Sequence, residues 1–169
     1  MKFLEKIRTN YKYYLFSFFF ISIISWGLEL IFSLIFRGKL VNPGSLTLFW
    51  CPIYGVACLL VFLSAKKEDF IMINFIKIFL TVSVVEYFAS YISEKYYNHI
   101  IWNYNSFFLN IGGRICLSMT ILFTVFGLIW LYAIEPWQYK KYDINRKKSN
   151  TFVTIASIAF AIDVFINWF

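Results

Sequence analysis

Five apolar runs separated by short polar or aromatic stretches set the plan of this 169-residue chain. They cover about residues 13–36, 46–65, 70–92, 115–134 and 151–168. A helix rises 1.5 Å per residue, so about 20 apolar residues cross a hydrocarbon core about 30 Å thick. The first, third and fourth runs meet that length easily, and the fifth just meets it. The second meets it only if it includes 46–51, on the far side of Pro52. The pattern predicts an all-α, polytopic membrane helix bundle of about five spans, one transmembrane domain over 1–169. Residues 93–114 carry Tyr96, Tyr97, Trp102, Tyr104, Phe107 and Phe108 and read as an aromatic segment at the interface, with His99 interfacial or solvated. Residues 135–150 read as a polar, basic, lipid-facing connection open to disorder.

The second run allows two arrangements. Proline suits the first position of a helix, so Trp50-Cys51-Pro52 reads as a helix start and Asn42-Pro43-Gly44 as the turn before it. A helix beginning at Pro52 is too short to span, and 46–51 then enter the protein as a re-entrant or Pro-interrupted piece lined by neighbours rather than lipid. Its free N–H groups would lie below the surface, as at the ion and substrate sites of interrupted transporter helices. The alternative is one continuous, Pro-kinked helix over 46–65 with no site. Asn110-Ile111-Gly112-Gly113-Arg114 opens the fourth run in a similar way, its glycines permitting close backbone approach.

Composition agrees with the bilayer. The chain is 60% hydrophobic and 15% charged, far from a soluble domain's share of about a quarter charged. The net charge of +7 does not indicate nucleic acid, because the basic residues cluster at the ends of apolar runs. Eleven Lys and Arg fall on one side (near residues 2–12, 66–67 and 140–148) against four on the other (Arg37, Lys39, Lys95, Arg114). The positive-inside rule then predicts a cytoplasmic N-terminus. The first run is too long for a signal-peptide core of roughly 7–15 residues and reads as a retained span. Cys51, Cys58 and Cys116 have no metal-ligand spacing, and no metal or cofactor motif is present. Abundant Lys, Asn, Ile and Phe hint at an AT-rich bacterial genome, a compositional point and nothing more.

Three carboxylates interrupt the spans: Glu29, Glu86 and Asp163. Each costs several kcal/mol in hydrocarbon unless paired, protonated or wet, so each is a candidate site residue. All three lie roughly 8–10 Å short of the predicted outer ends, at the side where Arg114 opens the fourth span. Polar stripes run with them: Ser22, Ser25, Trp26, Glu29 and Ser33; Ser83, Glu86, Ser90 and Ser93; Ala156, Ala159, Asp163 and Asn167. The stripes fit a functional site or, equally, helix-packing seams with Arg114 paired to Glu86 or Glu29. Lys77 lies near the opposite end of its span and can snorkel.

Cys51-Pro52-Ile53-Tyr54-Gly55, Val85-Glu86-Tyr87, Glu94-Lys95, Trp102-Asn103-Tyr104, Asn110-Ile111-Gly112-Gly113-Arg114-Ile115-Cys116-Leu117 and Glu135-Pro136 together resemble the bacterial ABC-transporter type IV (CmpB-like) membrane family. Trp26-Gly27-Leu28-Glu29 and Asn42-Pro43-Gly44 fit it too. The resemblance covers about 13–136 and departs at Asn103, where the family pattern carries Asp. It implies a permease-like role. The chain has no G-x-x-x-x-G-K-[ST] loop, so ATP drive would require a separate ATPase subunit. The expected site comprises Glu29, Glu86, Arg114 and Asp163 with Cys51, Pro52, Tyr54 and Asn110, and its surplus of acids suits a cation, a proton or an amine. Two other functions fit the residues: an accessory subunit binding another membrane protein, or an intramembrane enzyme using carboxylates on a lipid-linked substrate. Against the enzyme, no H-E-x-x-H, G-x-S-x-G or Cys/His pair is present.

Overall fold

A computed structural model describes residues 2–40, 42, 46–98 and 100–168. The expected turn at Pro43-Gly44 and the placement of His99 lie outside the described residues. In chain order the elements are α1 (Lys2–Arg37), α2 (Pro52–Ser64), α3 (Ile71–Tyr97), β1 (Asn110–Ile111), β2 (Ile115–Cys116), α4 (Leu117–Ile129), a π-helical turn (Trp130–Ile134), α5 (Glu135–Ile144) and α6 (Arg146–Trp168). Four segments are long and apolar enough to cross a membrane: Asn10–Ile35, Ile71–Tyr96, Leu117–Ile144 and Arg146–Asn167. The protein is an all-helical membrane bundle. Its chain divides into two compact units, Met1–Leu59 with Trp137–Phe169, and Leu60–Pro136.

In the first unit α1 packs against α6. Their seam holds Phe18, Phe19 and Ala156, and into it the non-helical segment 46–50 inserts Leu46 and Trp50. The rings of Phe19, Trp50 and Phe160 meet edge-on or tilted, each pair with centroids 5.8 Å apart. Helix α2 starts at Pro52 and runs 13 residues, about 20 Å. The interrupted arrangement is therefore the one adopted, and the continuous helix over 46–65 is not. At Gly55 the start of α2 lies so close to α1 that a Cβ would come within 2.6 Å of the Phe18 ring.

The basic connection at 135–150 is helical apart from a turn at Asn145. This corrects the expected disorder and moves the start of the last helix from 151 to Arg146. Proline in a helix removes a hydrogen bond and crowds the turn before it. The π-helical turn absorbs that defect: the N–H of Glu135 donates to Trp130 O, five residues back, so the ladder is already shifted where Pro136 enters. The far half of α5 is then held by burial. Gln138 Nε2 donates to Ser17 Oγ at 2.8 Å, and Tyr142 packs on Tyr13 and Phe16.

In the second unit α3 packs on α4 with the polarity of a membrane helix, polar inside and apolar outside. Ile73, Ile76, Leu80, Val84 and Phe88 form an exposed stripe, while Asn74, Ile78, Val82, Glu86 and Ser90 are buried. Gly127 of α4 admits Ile78: a Cβ there would stand 2.7 Å from Ile78 Cγ2. We expect Gly127→Val to destabilise the protein by about 1–3 kcal/mol through overpacking, read as a lower unfolding midpoint in detergent. Helix α3 runs on to Tyr97, so 93–97 belong to the helix rather than to an interfacial segment. Its opposite end is tied down by Asn74, which donates to Lys66 O and to Tyr132 Oη at 2.6 and 2.7 Å. Lys77 reaches back to that same end of its span and pairs there with Asp69 at 2.6 Å, and Lys67 pairs with Glu135.

Candidate functional site

Asp163, on α6, is only 2% exposed. Its carboxylate accepts four hydrogen bonds: from Thr47 N–H (3.2 Å) and Asn167 Nδ2 (3.0 Å) on Oδ1, and from Leu48 N–H (3.0 Å) and Trp50 Nε1 (2.8 Å) on Oδ2. The segment that precedes Pro52 cannot satisfy its N–H groups in a helical ladder, and a buried unpaired N–H is costly. Asp163 supplies the missing acceptors, so its lone pairs are committed to holding 46–50 in place.

Glu29 lies in the same unit with less support. Tyr54 Oη donates to its Oε1, joining two of the expected site residues. The chain between them is anchored by the N–H of Cys51, which donates to Ser22 O at 3.0 Å. Cys51 is a free thiol, 5% exposed, and Pro52 half-buried at the first position of α2. The hydroxyl of Ser22, facing Gly55, is buried with no partner among the described residues. Trp26 Nε1 donates to Asn42 Oδ1 (2.8 Å), whose Nδ2 donates to Leu46 O (3.0 Å), closing the outer edge of the segment.

In the second unit Glu86, 5% exposed, sits in the α3–α4 seam. Thr120 Oγ1 donates to its Oε2 at 3.4 Å, a long bond. Thr124 is the next hydroxyl along α4, but it donates to Thr120 O at 2.6 Å and is spent there. Among the described residues Glu86 thus meets one weak donor where Asp163 meets four.

Arg114 does not pair with Glu86. Its ion pair is with Glu94, two helical turns further along α3, and its guanidinium stacks over Tyr87 and Tyr91 at 5.8 and 5.7 Å. The short antiparallel pairing of β1 and β2 explains the choice. With Asn110 opposite Cys116 and Ile111 opposite Ile115, it turns the chain back at Gly112 (φ +57°) and Gly113 (φ +67°) and aims Arg114 at the end of α3. Asn110 builds that turn: its Nδ2 donates to Phe107 O (2.9 Å) and Asn105 O (3.2 Å), and its Oδ1 accepts from Gly113 N–H (3.1 Å).

The eight expected residues therefore form separate local sets: Glu29 with Tyr54 beside Cys51 and Pro52, Asp163 with 47–50, Glu86 with Thr120, and Arg114 with Glu94 beside Asn110. Trp50, Glu94, Asn105 and Thr120 are the partners that residue patterns did not single out for these roles. Only Glu94 carried a signal, as a charge within reach of Arg114. Among the described residues no group of three His, Cys, Asp or Glu could hold a metal ion.

No curated protein and no solved structure matches the chain. A family model does, over residues 16–168, from within α1 to the end of α6, and by that match the chain belongs to the family described as Putative ABC-transporter type IV.

Proposed function

We propose that this protein is the membrane-embedded, permease-like component of a transport system in the bacterial cytoplasmic membrane, driven by a separate ATPase subunit. Its candidate polar groups are Glu29 in the first unit and, separately, Glu86 and Arg114 in the second, each expected in the outer half of the bilayer from its depth along its own span. The observation that carries this reading is the contrast between carboxylates. Asp163 is fully satisfied by the fold, whereas Glu86 is buried against one long hydroxyl bond. A structural role does not require an acid there, since a neutral side chain would fill the seam at lower cost. A role in taking up a proton, a cation or an amine does require one. The buried Cys51 and the lack of a nearby base among the motifs argue against the enzyme alternative.

The partner is tested by purifying the tagged full-length protein from its native membrane. We expect an associated subunit bearing a G-x-x-x-x-G-K-[ST] loop, with ATP hydrolysis in the assembly. A lone monomer would remove the transport reading, and a stable partner without that loop would favour the accessory-subunit one. Within such an assembly, Glu29→Gln should lower transport-coupled ATP hydrolysis at least about tenfold, equivalent to ~1.4 kcal/mol, with folded yield unchanged. The amide oxygen still accepts from Tyr54, so a loss in Glu29→Gln with activity kept in Tyr54→Phe would assign the effect to the charge and not to the hydrogen bond.

A further inference from the structure

Between the end of α3 and the segment 100–114 lies a cavity of about 110 Å³. Ser90, Glu94, Trp102, Asn103, Asn105 and Arg114 line it, together with the backbone of Gly112 and Gly113. Three features distinguish it from a packing gap. The first is that it is braced open. Trp102 Nε1 donates to Arg114 O and Tyr104 N–H to Gly113 O, both at 2.8 Å, and Asn110 ties the intervening turn. Little ordering would accompany binding. The second is that its wall depends on missing side chains. A Cβ on Gly113 would fall 2.9 Å from Asn103 Oδ1, and one on Gly112 would fall 3.1 Å from the Arg114 guanidinium. The third is a charge in the wall: the Arg114 guanidinium lines the cavity with its pairing partner Glu94, while its Nε is closed off from the cavity and has no acceptor among the described residues.

These features define the ligand. The guanidinium has N–H donors beyond the one that Glu94 takes, and these suit an oxygen acceptor. The wall carries one cation and one anion side by side, so a simple anion would be opposed by Glu94 and a simple cation by Arg114. A molecule with both charges satisfies both. Asn103 and Asn105 offer carbonyl oxygens to an ammonium group, Trp102 offers an apolar face to a methylene, and the volume admits only a few heavy atoms. We propose that this cavity binds a small zwitterion, its oxyanion arm on Arg114 and its ammonium arm on Glu94 and the asparagine carbonyls. The same chemistry occurs in a free α-amino acid and in a phosphoethanolamine lipid headgroup. The proposal does not rest on the transport reading, because binding is measurable whether or not a solute moves.

The test is calorimetric titration of the full-length protein in detergent with glycine and O-phosphoethanolamine, against acetate, inorganic phosphate and ethylammonium. The zwitterions should bind at least about tenfold more tightly than any singly charged probe, matching ~1.4 kcal/mol. Arg114→Gln should abolish that margin. Glu94→Gln, at a partly exposed position that leaves the hairpin's hydrogen bonds intact, should transfer the preference to acetate, which a purely structural role would not do. Nanodiscs with and without phosphatidylethanolamine separate the sources. Competition between that lipid and O-phosphoethanolamine identifies the headgroup, and glycine binding equal in both lipids identifies a soluble solute. No preference for zwitterions, or a preference that survives both substitutions, overturns the proposal and leaves a water-filled cavity. Zwitterion binding by a protein with no ATPase partner would keep this site and remove the transport reading.

Discussion

Asp163→Ala is expected to remove most of the folded protein. The substitution deletes a carboxylate, itself only 2% exposed, that accepts from Thr47 N–H, Leu48 N–H and the buried Trp50 indole. Breaking a buried, hydrogen-bonded charge in this way costs about 3–5 kcal/mol, against a total stability of about 5–15 kcal/mol. The damage would spread along the chain, because 46–50 carry Leu46 and Trp50 into the α1–α6 core and set where α2 begins. Asp163→Asn should be only partly milder: one oxygen remains, but the new NH2 faces N–H donors. Trp50→Phe supplies the scale, since it loses one hydrogen bond worth about 1 kcal/mol and keeps the ring contacts with Phe19 and Phe160. The measurement is the monodisperse fraction after extraction together with the thermal unfolding midpoint. A midpoint for Asp163→Ala equal to wild type would show that the clasp contributes nothing.

That result bears on what a sequence can disclose. Hydropathy reports directly on the solvent a helix meets, so the long spans were legible, and so was the helix start at Pro52, because proline's missing N–H acts locally. Asp163 was legible as a charge that must be partnered, but its partner was not. Two of its donors are backbone N–H groups, which every residue type carries and no side-chain pattern reveals. Arg114 was expected to pair, in the packing alternative, with Glu86 or Glu29, and its pairing with Glu94 was not legible for a different reason. Depth along a helix follows from spacing alone, whereas the direction of the Arg114 side chain follows from Gly112, Gly113 and a two-residue strand pairing. The helical course past Pro136 was not legible, because 135–150 read as a connection from polar, basic composition alone. The shift of hydrogen-bond register at Trp130–Ile134 that accommodates it has no residue signature.

Glu86→Gln is the counterpart to Asp163→Ala, and the opposite outcome is expected. Glutamine keeps the volume of glutamate and one oxygen that can accept from Thr120, so the α3–α4 seam stays filled and the folded yield should be at or above wild type, within about 1 kcal/mol. What disappears is the charge. If Glu86 takes up a proton or a cation on the way across the bilayer, flux of that ion into proteoliposomes, followed with pH- and alkali-cation-sensitive dyes, should fall at least about tenfold. Glu86→Ala is the necessary companion. It opens a cavity beside Val82, Val85 and Thr120 and should lose both flux and about 1–3 kcal/mol of stability, so low flux there would be uninformative without the glutamine variant. Unchanged flux in Glu86→Gln would mean that the carboxylate is dispensable. The buried acid would then be a tolerated cost of packing, and the transport reading would lose the observation that carries it.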